Sequence, residues 1–304
     1  MTYTTCPLLY LIQHRYPPEK RKIVNECVQA LLDQGVIEPS LSPWAAPVVL
    51  AEKPGQPGKW RLCIDYRKLN IMSEAIIWPM PRIDESVEYL QKAKYLTSID
   101  LAWVFWGLPL DEESKQKSAF ITQDQHLQWR RLPMGWHGSP AIFQKAMDML
   151  MVGIRGIYTL CYVDDILVFS ESFNDHVKHL KEVFDRLAQA GRSVRLEKVQ
   201  WIQRQVKFLG FHVGNGQVIL IKDKVDTILG LPLPKTVSEL RSFLGAAGVY
   251  RKFIQGFAAL AAPLYRVLTI GKEKPGEFES ADFYEAFVRV KCGLQQMPSL
   301  AMPD

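Results

Sequence analysis

Two adjacent carboxylates, Asp164 and Asp165, interrupt the run Thr159-Leu-Cys-Tyr-Val-Asp-Asp-Ile-Leu-Val-Phe-Ser170, which is otherwise apolar, aromatic and β-branched. Like charges at neighbouring positions repel unless something neutralises them. A hard divalent cation is the natural partner, because magnesium is held through a few carboxylates together with substrate phosphates. A solvated, Asp-rich hairpin turn is the plain alternative. The flanking residues are apolar enough to argue against it: a strand, a tight turn at Val163-Asp164-Asp165 and a returning strand bury both flanks and leave the acids at the tip.

A second set of candidates is basic. Strands are expected at Val48-Val49-Leu50 and from Arg61 to Tyr66, joined by Glu52-Lys-Pro-Gly-Gln-Pro-Gly-Lys59, whose prolines and glycines forbid regular structure. A flexible loop bearing Lys53 and Lys59, followed by Arg61, has the groups to close over a triphosphate, since ammonium and guanidinium grip phosphate oxygens. An ordinary basic hairpin is the alternative.

Bulk properties set the frame. The 304 residues exceed one modal domain, and 48% apolar content supplies a real core. The excess of 37 basic over 32 acidic residues is modest and matters for a polyanion only if clustered. Cys6, Cys27, Cys63, Cys161 and Cys292 are odd in number and widely spaced, so they read as reduced core residues. His176 and His179 share a helix with no partner ligands nearby, and no zinc spacing is present. No apolar run approaches a membrane span and no signal peptide is visible, so the chain reads as intracellular.

The elements that must position these groups follow from periodicity and punctuation. Pro17-Pro18-Glu19 starts a helix with Ile23, Cys27 and Leu31 on one face, Val24 and Leu32 beside them, and Gly35 as its stop. Trp78-Pro-Met-Pro81 is extended, and Ile83, Val87 and Leu90 mark a short amphipathic helix. Tyr95 to Ile99 is a strand that delivers Asp100, a position where an acid is most often a cap or turn residue. A polar helix over 112–118 and a hairpin around Asp124-Gln125 precede Pro133-Met134-Gly135. Helices are then expected from Pro140 through Phe143, Met147 and Leu150, and over Val177, Leu180, Phe184 and Leu187 to Gly191. The stretches 205–210 and 211–213 should pair as a hairpin through Gly214-Asn-Gly216. Thr236-Val-Ser-Glu239 is a capping box that turns Leu240, Phe243, Leu244 and Ala247 inward, with Arg241, Arg251 and Lys252 outward. A polar linker over 271–279 and a last helix from Phe283 to Leu294 complete the chain.

Tyr162-Val163-Asp164-Asp165 resembles the signature of reverse transcriptases. So, in the same order and rough spacing, do Trp44-Ala-Ala-Pro-Val-Val-Leu50, Trp60-Arg-Leu-Cys-Ile-Asp-Tyr-Arg-Lys-Leu-Asn70, Leu132-Pro-Met-Gly-Trp-His-Gly-Ser-Pro-Ala-Ile-Phe-Gln144, Phe208-Leu-Gly210 and Leu240-Arg-Ser-Phe-Leu-Gly245. The likeness covers nearly the whole chain and is nearest to gypsy-type LTR retrotransposons and simple retroviruses. It implies an α+β right-hand polymerase: fingers over 1–75 and 108–138, and a palm over 76–107 and 139–216 whose antiparallel sheet is backed by helices. A helical thumb over 217–272 and the start of a connection segment over 273–304 follow, with no ribonuclease H domain.

The resemblance also implies the activity, RNA-directed DNA polymerisation that extends a primer 3'-hydroxyl with dNTPs on RNA or DNA template by two-metal nucleotidyl transfer. Asp100, Asp164 and Asp165 are then catalytic and, with the Leu101 carbonyl, hold two Mg2+ ions, Mn2+ being a possible substitute. Lys53, Arg61, Trp103, Val104, Phe105, Met134 and Gly135 line the nucleotide site. Phe105 is the ring that abuts the sugar and excludes a 2'-hydroxyl. Tyr162, Phe208, Leu209, Gly210 and Arg241 meet primer and template, and Lys198 is a candidate proton donor to pyrophosphate. Expected partners are the RNA template, DNA primer, RNA/DNA hybrid and dNTPs, with no membrane. Ribonuclease H and integrase are expected on a parent polyprotein, and the site of action in the cytoplasm within viral or virus-like particles. Departures from the family pattern fall at Val104, where Gly or Ala is common, at Gly107, where Gln is common, and at Gly138, where Asn is common. Two rivals stand beside this reading. One is an RNA-dependent RNA polymerase, against which Phe105 speaks; the other is a disabled relic kept for binding or assembly, against which the three acids speak.

Overall fold

The computed structural model describes residues 15–81, 90, 92–214, 217–220, 222–251, 253–270, 278, 280–295 and 300–301. The helix read at 83–90 lies outside them apart from Leu90, as do Cys6, Lys252, the turn residues 215–216 and nearly all of the 271–279 linker. Helices and predominantly antiparallel sheets alternate along the chain, as the α+β reading requires. Two compact units emerge, one from segments 1–81, 99–166 and 178–199, the other from 82–98, 167–177 and 200–304.

In the first unit, α1 (Pro18–Asp33) begins at the expected proline and ends before Gly35, whose φ of 65° is the left-handed stop. Its buried face is Val24 and Val28, one position round from the face read in the sequence; Ile23 and Cys27 sit at its edge. That face packs on a five-stranded sheet of order β1-β6-β5-β2-β3, built from β1 (Ile37–Pro39), β2 (Ala46–Glu52), β3 (Trp60–Ile64), β5 (Phe120–Ile121) and β6 (His126–Trp129). Tyr66 stands beyond β3. It is buried, donates its hydroxyl to the Ser118 carbonyl at 2.6 Å and caps an unexpected short helix, α2 (Arg67–Met72). Burial drives its phenol pKa far above the ordinary value.

The acid-bearing sheet has the order β7-β8-β4-β9, from β4 (Tyr95–Asp100), β7 (Thr159–Tyr162), β8 (Asp165–Ser170) and β9 (Gln200–Gln203). β8 is buried from Ile166 to Ser170, as its apolar run demands. The polar helix α3 (Glu112–Lys117) and α4 (Ser139–Leu150) form where expected, α4 with Pro140 in its first turn. In α5 (Phe173–Gln189) the inward residues include His176, while Val177, read as inward, is exposed. His176 is fully buried between the Thr97 and Ser170 hydroxyls at 2.8 and 2.9 Å, a polar core bond that apolar periodicity does not reveal.

In the second unit, β10 (Gln205–Phe208) pairs with β11 (Phe211–Gly214) through a two-residue turn at Leu209-Gly210. The hairpin therefore turns five residues earlier than expected, and β11 goes on to pair with β12 (Gln217–Leu220) from Gly214↔Gln217. Leu209 and Gly210 both have positive φ, 51° and 86°, which the twist of a two-residue hairpin favours. The helices α6 (Lys222–Leu229), α7 (Val237–Gly248), α8 (Phe257–Ile270) and α9 (Ala281–Gln295) follow. Thr236 caps α7 by accepting from the Glu239 amide, and Leu240, Phe243, Leu244 and Ala247 are all buried, as the capping box and its period imply. Lys291 of α9 donates to the Leu229 and Leu231 carbonyls at 2.7 and 2.6 Å, satisfying the end of α6.

Candidate active site

Asp100 is the last residue of β4 and Asp165 the first of β8, neighbouring strands of one sheet, with Asp164 in the turn before β8. Their backbones meet: the Leu101 amide donates to the Asp164 carbonyl at 3.2 Å. The segment after α5 closes the other side, where Ala102 donates to Ser193 at 2.8 Å and Arg195 to the Asp100 carbonyl at 3.0 Å, with Leu101 bridged to Val194. All three acids are only partly buried. The Asp100 carboxylate is turned to two cations, accepting from Arg195 Nη1 at 2.9 Å and lying 3.4 Å from Lys198 Nζ. Among the described residues no three acidic, His or Cys side chains are gathered into a ready-made metal cage. The fold thus brings the three acids to one sheet end by their backbones, with Asp100 neutralised by protein cations.

The shape of the acidic turn has a cause that motif reading missed. Val163 is held at φ 51°, a left-handed conformation that a β-branched residue avoids. Its amide donates to Gln144 Oε1 at 2.7 Å, and Gln144 Nε2 donates to the Cys161 carbonyl at 3.1 Å and to Asp148 Oδ1 at 2.8 Å. Gln144 is fully buried on α4, and Asp148 lies one helical turn on. Asp148 Oδ2 accepts from Trp78 Nε1 at 2.8 Å and pairs with Arg155 at 2.7 Å, so the buried charge is neutralised and multiply hydrogen-bonded. A chain of polar contacts from Trp78 and Arg155 through Asp148 and Gln144 therefore fixes the turn. The available signal was two polar residues at i and i+4 on the apolar face of Phe143 and Met147. Beside them, burial and the Asp148 charge push the Cys161 thiol up to about 12.

The basic loop is a regular hairpin. β2 pairs with β3 from Val48↔Ile64 to Glu52↔Trp60, and the Lys53 amide donates to Lys59 at 2.8 Å. Side chains opposite each other share a face, as do residues two apart, so Lys53, Lys59 and Arg61 all stand on one face of the ribbon, exposed.

After Asp100 the chain makes a tight turn. Trp103, at φ 54°, is exposed and stacks on Trp106 at 5.3 Å, while Val104 is buried. Phe105 packs its ring at 5.7 Å and 75° against Phe143. Met134 is exposed, and Gly135 has φ 90°, which only glycine takes readily. A further missed residue, Asn70, braces this loop: its side chain donates to the Gly135 carbonyl at 3.0 Å and accepts from the His137 amide at 2.9 Å. The glycine at 138 also has a physical reason. A Cβ there would stand 2.6 to 2.9 Å from three ring carbons of Trp136. Tyr162 is half-buried at the end of β7. Of the remaining candidates, Phe208, Leu209, Gly210 and Arg241 belong to the second unit, Phe208 buried, the next two in the hairpin turn and Arg241 exposed on α7.

A family model described as reverse transcriptase (RNA-dependent DNA polymerase) matches residues 51–213, more than half of the chain. The retrovirus-related Pol polyprotein from transposon 297 of Drosophila melanogaster is 36% identical over 284 residues, covering 92% of this chain and 27% of that protein. That from transposon gypsy of the same organism is 37% identical over 250 residues, covering 81% and 24%. The chain thus spans about a quarter of the length of the curated relatives it matches. Among solved structures, a foamy viral protease-reverse transcriptase in complex with RNA/DNA hybrid superposes with a TM-score of 0.77 at 27% identity, over 99% of this chain and 40% of that one. A second foamy viral form, in complex with double-stranded DNA, gives 0.79 at 28% identity, over 99% and 52%.

Proposed function

The chain belongs to the reverse transcriptase (RNA-dependent DNA polymerase) family, and from that premise we propose that it extends a primer 3'-hydroxyl with dNTPs on an RNA or DNA template. The observation that carries the reading is the Leu101-to-Asp164 backbone hydrogen bond, which locks the end of β4 to the acidic turn. It confines Asp100, Asp164 and Asp165 to one end of one sheet.

Reverse transcriptases use divalent metal ions, and the donor set here suits them, being carboxylate oxygens and a backbone carbonyl on a partly exposed sheet end. Asp100, Asp164, Asp165 and the Leu101 carbonyl would hold two Mg2+, or Mn2+ in their place. Such ions, when bound, lower the pKa of the attacking hydroxyl and neutralise charge on the leaving pyrophosphate.

The chain's own groups do the rest. Arg61, with Lys53 on the same ribbon face, grips triphosphate oxygens. Phe105 leaves no room for a 2'-hydroxyl and so selects deoxynucleotides. Trp103, Val104, Met134 and Gly135 complete the nucleotide pocket. Tyr162 and the Phe208-Leu209-Gly210 turn position the primer terminus. Arg241 contacts the nucleic-acid backbone without reading sequence. Lys198, 3.4 Å from the Asp100 carboxylate, is the proton donor to pyrophosphate in this reading.

In this assignment residues 1–75 and 108–138 are fingers, 76–107 and 139–216 palm, 217–272 thumb and 273–304 the start of a connection. Ribonuclease H and integrase lie elsewhere on a parent polyprotein, and an RNA/DNA hybrid is both product and ligand. No described helix is long and apolar enough to cross a membrane. The proposed place of action is the cytoplasm, within particles.

Primer extension on an RNA template with Mg2+ tests the proposal. The wild-type protein extends the primer, and Asp164→Asn, which keeps the shape and removes the charge, abolishes extension while template binding persists. An Asp164→Asn protein that still extends primers refutes the assignment.

A further inference from the structure

Gly107 and Arg192 are a matched pair. Gly107 closes the turn over 105–107, and a Cβ built on it would run into Arg192 Nη1 and lie 3.0 Å from Cζ. The guanidinium occupies the volume that any side chain at 107 needs, so a side chain there would push it off its present position.

The backbone of Arg192 has little freedom to yield. Gly191 ends α5 in the left-handed conformation at φ 64°, and the Arg192 amide donates to the Leu187 carbonyl at 2.8 Å. The next two residues are tied to Ala102 and Leu101 beside the catalytic candidates.

From that anchor the guanidinium lies over the Phe143 ring, 5.7 Å from its centroid. Phe143 is fully buried on α4, and it is the ring against which Phe105 packs, also at 5.7 Å. Arg192 Nη1 is buried and has no hydrogen-bond partner among the described residues. Burial and the nearby Arg131 charge depress the Arg192 pKa. A buried donor without an acceptor weakens a fold, so Nη1 adds nothing to stability through hydrogen bonding, and the contact the guanidinium does make is with the Phe143 ring.

We propose that Arg192 is a positioning residue for the Phe105 gate: its guanidinium fixes the plane of Phe143, and Phe143 fixes how deeply Phe105 stands against the sugar of the incoming nucleotide. The inference rests on the polymerase reading above. It also supplies a reason for glycine at 107, since a longer residue would displace the group that steadies the gate.

The test compares kcat/KM for dGTP and GTP in single-nucleotide primer extension, together with Tm, across five proteins. These are wild type, Phe105→Ala, Arg192→Leu, Gly107→Gln and the Arg192→Leu/Gly107→Gln double variant. Arg192→Leu should have a Tm at or above that of wild type and lose about tenfold in discrimination against GTP, as expected for removing a desolvated cation from an aromatic face. A merely structural arginine predicts the reverse, a lower Tm with the ratio unmoved. Gly107→Gln, which displaces the guanidinium, should lose discrimination against GTP as Arg192→Leu does, and the double variant should lose no more than either single one.

If Phe105→Ala collapses discrimination while Arg192→Leu keeps the wild-type ratio, the inference is overturned and the polymerase reading stands. If wild type incorporates dGTP but Phe105→Ala discriminates as before, the gate and this inference both fall. Wild type that incorporates neither nucleotide removes the premise, and the inference with it. Should Arg192→Leu not fold, Arg192→Lys gives the same readout, because it keeps a cation but not the planar face.

Discussion

Replacing Gln144 by leucine tests whether the acidic turn is held from beneath. The substitution keeps most of the side-chain volume and deletes three hydrogen bonds, to the Val163 amide, the Cys161 carbonyl and Asp148 Oδ1. Each group left short of a partner costs about 1–3 kcal/mol, and because Asp148 keeps Trp78 and Arg155, a total near the low end, about 3 kcal/mol, is expected. The consequence for activity should be larger. A residue held in the left-handed region stores roughly 1–3 kcal/mol that only its surroundings maintain. Without the Gln144 acceptor, Val163 relaxes toward extended backbone and carries Asp164 and Asp165 with it. A displacement on the order of 1 Å at reacting groups lowers rates about 100-fold. Gln144→Glu separates charge from shape. A carboxylate about 3 Å from Asp148 is repelled by about 5 kcal/mol at an effective dielectric near 20, so the new acid folds protonated, its pKa raised above an unfolded value of about 4.3. The native state then holds a proton that the unfolded chain releases. Stability relative to wild type is therefore least impaired below about pH 4.3 and falls by about 1.4 kcal/mol per unit as pH rises, until the folded pKa is passed. Urea denaturation at pH 5 and pH 8, with single-turnover primer extension, measures both effects. A leucine variant with wild-type turnover, or a glutamate variant whose deficit does not grow with pH, refutes the reasoning.

Arg195→Ala frees Asp100 Oδ1 from a partly exposed ion pair worth about 1 kcal/mol at most, so the divalent-ion concentration for half-maximal extension should fall up to about fivefold. Mn2+ binding followed by electron paramagnetic resonance reads the same change directly, and a raised metal requirement would contradict it. Arg61→Ala should raise the dNTP KM by about tenfold with Tm unmoved, because the residue stands exposed on the hairpin and supports no core; an unchanged KM removes the triphosphate role. Cys161, with its thiol pushed up to about 12, should resist iodoacetamide at pH 8 in the native protein while exposed Cys292 is alkylated, as mass spectrometry of the two peptides will tell. For the same reason stability should decline above about pH 8.5, where the unfolded thiol ionises and the folded one does not, and level off only past about 12.

What was legible in the sequence divides by the kind of physics involved. Elements whose signal is local came through: the proline start of α1, the β7–β8 acidic turn, and the α7 capping box with all four of its inward residues buried. Local signals also went astray where two glycines competed. Gly210 and the Gly214-Asn-Gly216 stretch are both turn-formers, and the chain reverses at both, Phe208 pairing with Phe211 and Gly214 with Gln217, where one hairpin was expected. The residues that shape the site were harder to read, because their role exists only in three dimensions. Gln144 looks like a polar interruption of an apolar helix face until the Val163 amide, 19 positions away, is brought to it. Asn70 looks like the end of a motif until Gly135 and His137 arrive. Gly107 and Gly138 look like losses relative to a family pattern, yet each leaves room for a large side chain, Arg192 in one case and Trp136 in the other. Each departure is thus the visible half of a packing arrangement whose other half is a large side chain, two residues away for Gly138 and 85 residues away for Gly107. The Gly107 and Arg192 pair makes a test that either residue alone does not: two single substitutions that lose the same property, and a double one that loses no more.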